Sequence, residues 1–310
     1  MFGGYRFILA ILVALSHFGV HGAGLNPGQW AVISFYTLSG VLMERQFRKL
    51  SRYGNVARTF YLDRFLRIYP LYLCVLFIGW MAAPPPIPWR ETLANVMLLP
   101  MNYSYFTGIP AWASPSWSLA CEAQFYILVP LLMLCSTKAL RILLCASLLF
   151  FAGSAFLADS AFWAYTGLPG VLFTFLTGIL ISRKDHFFIK VVWVATGLLL
   201  LAFAATKFAH TGLRTGIHIN VALGYLLAVA AITFLDRFSP DVKWDKFFGL
   251  FSYPLFLCHW IAAKFVGTHW HISNPLVLLF AGILLSALLI IVIEIPSDHL
   301  RYRLRPTKPA

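Results

Sequence analysis

Apolar residues run along this chain in long unbroken stretches rather than at helical or strand intervals. Ten such runs fall near 6–24, 29–44, 61–83, 116–136, 141–158, 164–182, 189–206, 217–235, 248–267 and 275–295. Each approaches the ~20 residues an α-helix needs to cross a hydrocarbon core. The pattern predicts an all-α integral membrane protein, a bundle of about ten transmembrane helices. The run 29–44 is the shortest, and the run near 61 begins among charges. Only the connection 84–115, with "APPPIPWRE" and "SPSW", is long. It is expected on the surface, with a short interfacial helix near Glu91–Leu99. Residues 1–310 read as a single transmembrane domain with no extra soluble domain and no internal repeat.

Composition sharpens this picture. Hydrophobic residues make up 60% of the chain and charged residues 11%, where a soluble domain carries about a quarter charged. The first run is not a cleavable signal peptide: Arg6 is its only leading charge, and no small-x-small site precedes a soluble domain. A net charge of +13 would point to nucleic acid in a soluble protein, but here the basic residues lie between the apolar runs. Twenty of the 24 Lys and Arg fall on one side of the alternating spans; only Arg90, Lys207, Arg214 and Lys264 fall on the other. By the positive-inside rule both termini are cytoplasmic, and no nucleic-acid partner is expected. The five cysteines are scattered singly through apolar runs, so neither a disulfide nor a metal site is expected.

The opening run "RFILAILVALSH" (6–17) places an arginine and a histidine on one helix. Eleven residues separate Arg6 from His17, which is about 20° around the axis and about 16 Å along it. They share a face, with Arg6 at the cytoplasmic mouth and His17 deep in the membrane. Ionisable groups at such depth face a partner or a water-filled cavity. His21 stands four residues further on, but no third ligand accompanies the pair. A histidine hydrogen-bonded to a neighbouring helix for packing is the plainer alternative.

Four other stretches carry polar groups at unusual places. "FYTLSGVLM" (35–43) sets Ser39 and Gly40 near the cytoplasmic end of the second span, a position that also suits plain helix packing. "YLDRFLRIYPLY" (61–72) sets Arg64 and Arg67 about one turn apart at the cytoplasmic start of the third span, as a functional pair or as plain positive-inside anchors. "SPSWSLACEAQFYILVP" (114–130) buries Glu122 in an apolar span, with Trp117, Ser118 and Tyr126 beside it in sequence. "SYPLFLCHW" (252–260) puts His259 midway along the ninth span. By helical rise Glu122 and His17 lie about 9 and 10 Å from the outer ends of their helices. That depth would let a carboxylate hold one ring nitrogen and leave the other as a base.

The order Arg-x10-His, "TLSGVLM", "RFLRIYP", "WSLACEAQFY", "SYPLFLCHW" and "EIPSDHLR", with Glu294 opening the last, resembles the acyltransferase 3 family over residues 4 to 303. The resemblance implies a membrane-bound O-acyltransferase of surface polysaccharides, glucans, glycolipids or related acceptors, in a bacterial inner membrane. Acyl-CoA, acetyl-CoA by default, would be a co-substrate rather than a permanently bound cofactor. Polysaccharide-biosynthesis proteins are candidate partners. Arg6, Arg64 and Arg67 would bind the phosphates of coenzyme A, since guanidinium pairs with phosphate in bidentate fashion, with Ser39 and Gly40 in the donor pocket. The pantetheine arm would carry the thioester to His17 as general base or acyl carrier, with Glu122 as its carboxylate.

Two departures qualify the resemblance. The family often has two adjacent acids before "QFY", and here Ala123 follows Glu122. Tyr36 and Val41 replace phenylalanines around the small-residue motif, which bears on acyl size. Some members carry a fused esterase-like domain; this chain is expected to finish the transfer itself or pass the group to a separate partner. A transporter or flippase for a glycolipid is the alternative from another class, but it would more often show repeats with broken helices.

Overall fold

The computed structural model describes residues 2–51, 55–81, 88–237 and 243–304. Among these there is no strand. The helices in chain order are α1 (Gly3–His17), α2 (Pro27–Leu50), α3 (Val56–Met81), α4 (Trp89–Met97), α5 (Ser104–Thr107), α6 (Ser116–Leu134) and α7 (Thr137–Gly153). They continue with α8 (Leu168–Ser182), α9 (His186–Phe208), α10 (Gly216–Arg237), α11 (Lys243–Trp270), α12 (Pro275–Leu289) and α13 (Ile295–Arg303). Wider π-helical turns at Phe162–Thr166 and Ile290–Glu294 lead into α8 and α13.

Every apolar run contains a helix, but their ends differ from the sequence reading. Among the described residues eight helical stretches are long and apolar enough to cross a membrane: Val56–Met81, Ser116–Leu134, Thr137–Phe156, Phe162–Ser182, His186–Phe208, Gly216–Arg237, Lys243–Trp270 and Pro275–Arg303. α1 is apolar but only 15 residues long, and α2 is long but carries charge in its last turns. The first helix stops at His17 rather than near residue 24. The reason is local: Gly19 and Gly24 adopt φ of 85° and 74°, conformations that glycine reaches without steric cost and that end a helix. The helix expected near Glu91–Leu99 spans Trp89–Met97 and ends where Leu98 turns to φ 64°.

The described chain forms two compact units: Met1–Gly22, Leu50–Ala120 and Ser239–Ala310 in the first; Ala23–Lys49 and Cys121–Phe238 in the second. In the first, α1 packs along α11, and α11 along α12. A Cβ on Gly3 would lie 1.7 Å from the Asp245 carbonyl oxygen, so only glycine lets the two backbones approach there. The Asp245 carboxylate accepts the Gly4 N–H at 3.0 Å, satisfying an orphan donor at the start of α1. The contacts then climb together: Ser252 Oγ donates to the Arg6 carbonyl at 3.0 Å, Phe7 stacks on Phe248 with ring centres 5.4 Å apart, and His17 meets His259. α1 and α11 therefore run parallel. The long connection is tied to α3 by buried Asn95, whose carbonyl accepts from Tyr72 Oη at 2.5 Å and whose side chain accepts the Trp112 N–H at 3.0 Å.

The second unit is built around α8, in which every residue from Phe173 to Ser182 is buried. A helix apolar on all sides belongs in a core. A Cβ on Gly40 would fall 2.0 Å from the Phe175 carbonyl oxygen, and one on Gly178 2.0 Å from that of Thr37. α2 and α8 thus touch backbone to backbone. Asn220 ties the start of α2 to α10, accepting from Asn26 N–H and Trp30 Nε1–H at 2.8 and 2.9 Å. Its Nδ2 donates to Gly24 O at 2.9 Å and Gly216 O at 3.0 Å.

Candidate active site

His17 is the last residue of α1 and is exposed, while His259 is fully buried in the middle of α11. His17 Nδ1 lies 2.6 Å from His259 Nε2. The ring centres are 4.9 Å apart and the planes 28° from parallel. The gap between those two distances is the sum of two centre-to-nitrogen radii, so both nitrogens lie on the line joining the ring centres. The contact is an in-plane, edge-to-edge hydrogen bond and not a face-to-face stack. His259 is held from behind: its Nδ1 is 3.1 Å from the Leu255 carbonyl oxygen, one turn earlier. On the α12 side Gly282 neighbours it, and a Cβ there would come 3.5 Å from His259 Cα, an ordinary van der Waals distance. His21 lies beyond the end of α1, so the two histidines do not share a helical face. Among the described residues no group of three or more His, Cys, Asp or Glu could hold a metal ion.

The arginines at the start of α3 are already engaged. Arg64 Nη2 donates to Asp63 Oδ2 at 2.5 Å, and Arg67 Nη1 to Glu294 in the π-helical turn. Asp298 lies 3.8 Å from Arg67 and forms an ion pair with Arg301 Nη2 at 3.1 Å, while Arg301 Nε is 3.7 Å from Asp63. Arg67 also sits over the Tyr253 ring at 5.5 Å, and Tyr253 Oη donates to the Ile68 carbonyl at 2.8 Å. Three guanidiniums thus face three carboxylates. Asp63 and Glu294 are among the most buried of these side chains, at 2% and 4% exposure, and buried charges of this kind must be paired. The acids Asp63 and Asp298 and the base Arg301 escaped the sequence reading, although Asp63 adjoins Arg64 and "EIPSDHLR" contains the others. Arg6, half-buried near Gly249, points its Nη2 to within 3.0 Å of where a Cβ on that glycine would sit.

In the second unit Tyr126 Oη donates to Glu122 Oε1 at 2.5 Å, and Ser39 Oγ donates to Tyr126 Oη at 3.5 Å. Three residues singled out from sequence therefore meet, with the i,i+4 spacing of α6 bringing Tyr126 to Glu122. Glu122 and His17 belong to different units. Gly40 serves the α2–α8 contact, and Ser118 Oγ donates to the Pro115 carbonyl at 3.0 Å where α6 begins. Trp117 is half-buried beside it.

Apolar helices that enclose a paired histidine and a buried arginine–carboxylate network describe a multi-pass membrane protein with polar chemistry inside it. A family model described as an acyltransferase domain, that of acyltransferase family 3, matches residues 3–295. The chain belongs to the acyltransferase 3 family. It is 25% identical over 208 residues to an uncharacterized protein of Aquifex aeolicus (strain VF5), covering 63% of this chain and 92% of that one. It is 32% identical over 112 residues to "Acyltransferase MdmB" of Streptomyces mycarofaciens, covering 34% of this chain and 28% of that protein. No solved structure matches the chain.

Proposed function

We propose that the protein is an O-acyltransferase that moves an acyl group, acetyl by default, from cytoplasmic acyl-CoA to a hydroxyl of a surface polysaccharide, glucan or glycolipid. The observation that carries this reading is the exposed imidazole at the broken end of α1, pinned on one edge by a buried second imidazole. Irregular backbone at membrane depth is tolerated where it lines protein or a water-filled space, which is where an acceptor hydroxyl would arrive. His17 would take the hydroxyl proton as the oxygen attacks the thioester carbonyl. The C–S bond breaks as the C–O bond forms, and the departing CoA thiolate takes the proton back from the imidazolium.

For the donor, Arg6 stands at the opposite end of α1 from His17. Arg64 and Arg67 would have to exchange their carboxylate partners Asp63 and Glu294 for phosphates to hold coenzyme A. Ser39 would lie along the donor path with Tyr126 and Glu122. The full reading has ten spans in one domain with both termini cytoplasmic, in a bacterial inner membrane. The parallel course of α1 and α11 supports it, since it requires an even number of reversals between them. Topology reporters after Lys49 and Lys184 should be cytoplasmic and one near Trp89 external. The functional test is mass spectrometry of surface glycans and lipids from cells with and without the gene. Loss of an O-acyl group that returns on complementation is expected; an unchanged set of acylated glycans and lipids would overturn the proposal.

A further inference from the structure

We infer that His259 is a positioning residue that fixes the tautomer of His17, so that Nε2 of His17 is the reacting nitrogen. The inference rests on the reading of His17 as the base. A neutral imidazole has one N–H and one bare lone pair, and a carbonyl oxygen only accepts. With Nδ1 of His259 3.1 Å from the Leu255 carbonyl, that nitrogen carries the proton. Its Nε2 is then a lone pair. Two lone pairs cannot face each other at 2.6 Å, so Nδ1 of His17 is the N–H donor of the pair. Nε2 of His17 is left bare, on the ring edge away from His259, in an exposed residue.

The direction of this chain is set by the backbone. Leu255 lies one turn before His259 in the same helix, and its carbonyl cannot change roles. Full burial of His259 and its contact with the Leu255 carbonyl hold the ring in register. The same chain also suits the protonated state. When Nε2 of His17 accepts a proton, Nδ1–H still donates to His259 and no hydrogen bond is broken. A group whose partners need no rearrangement as charge develops has its reorganisation already met. His259 thereby supplies the orientation that a carboxylate supplies in other imidazole bases.

Two substitutions separate this role from packing. His259→Gln retains an amide oxygen able to accept the His17 Nδ1–H, whereas His259→Leu fills a similar volume with no acceptor. In membrane vesicles turning over acetyl-CoA, His259→Leu should lower kcat on the order of 10²-fold, as loss of an oriented base does, with the KM for acetyl-CoA unchanged. His259→Gln should stay within a few-fold of wild type. Leu as active as Gln, or more so, would make His259 a packing residue and overturn the inference. Nitrogen-15 spectra of histidine-labelled wild-type protein give a second reading that needs no variant fold and no turnover. The His17 Nε2 resonance, assigned by its loss in His17→Ala, should be that of an unprotonated nitrogen; a protonated one would refute the inference. Full activity of His17→Ala would instead remove the base reading and leave the tautomer result standing.

Discussion

His17 in the first unit and His218 in the second are both imidazoles on apolar helices, and their surroundings are opposite. His218 is fully buried, boxed by Phe151 and Phe203 with ring centres 5.2 and 4.9 Å away. Ser154 Oγ donates to the Phe151 carbonyl at 2.7 Å, so at 2.9 Å it accepts the His218 Nε2–H. The bare Nδ1 is thereby left inside the core, with no hydrogen-bond partner among the described residues. His17 has the reverse arrangement: its partner is buried and its bare nitrogen belongs to an exposed residue. The lesson is that a histidine in an apolar run is read by where its hydrogen-bond chain ends. In the second unit the chain ends inside the protein; in the first it ends at the surface.

The comparison can be broken most forcefully at the charges of the first unit. Arg67→Ala would strand Glu294 in a site where its side chain is 4% exposed. Stranding one member of a buried pair costs about 3–5 kcal/mol, seen as a large fall in the unfolding midpoint in detergent. Adding Glu294→Gln should restore much of it. If Arg67→Ala melts like wild type and loses only acyl-CoA binding, the arginine serves phosphate and not the carboxylates. The second unit is tested at its glycine contact. Gly178→Val forces α2 and α8 apart and should cost about 1–3 kcal/mol as overpacking, and because α2 carries Ser39 the turnover per folded molecule should fall with it. A catalytic loss without a stability loss would mean that Gly40 and Ser39 act on substrate. The smallest effect is expected at His218. His218→Phe removes one hydrogen bond, worth about 1 kcal/mol net, and should leave acetyl-CoA turnover within two-fold. An inactive but folded His218→Phe would erase the contrast between the two histidines.

Much of the fold was legible because hydrocarbon imposes length and polarity on a helix independently of tertiary detail. The ends were less so. α2 continues through Arg45, Arg48 and Lys49 to Leu50, and α3 begins at Val56; lipid sets where apolar residues stop, not where helical hydrogen bonding does. The stop of α1 was written in Gly19 and Gly24, whose conformational freedom breaks the helix inside an otherwise apolar stretch. The candidate site divides in the same way. Tyr126 beside Glu122 follows from i,i+4 spacing within one helix. The pairing of His17 with His259 joins residues 242 apart and depends on how α1 lies along α11, which no local pattern encodes. The same holds for Arg67 with Glu294, 227 residues away. The family resemblance offered those arginines to phosphates, and the sequence showed their number and spacing but not their carboxylates.

The central claim is that His17 performs acyl transfer and does not merely pack. The most direct measurement follows radiolabel from [14C]acetyl-CoA into the glycan and lipid fractions of membrane vesicles carrying wild type or His17→Ala, with acetyl-CoA binding measured on the same preparations. Loss of a general base typically lowers a rate by about 10²–10⁴. The account predicts a loss of that size with binding nearly intact, because His17 lies about 16 Å by helical rise from Arg6. Near-normal label transfer by a folded His17→Ala protein would contradict it.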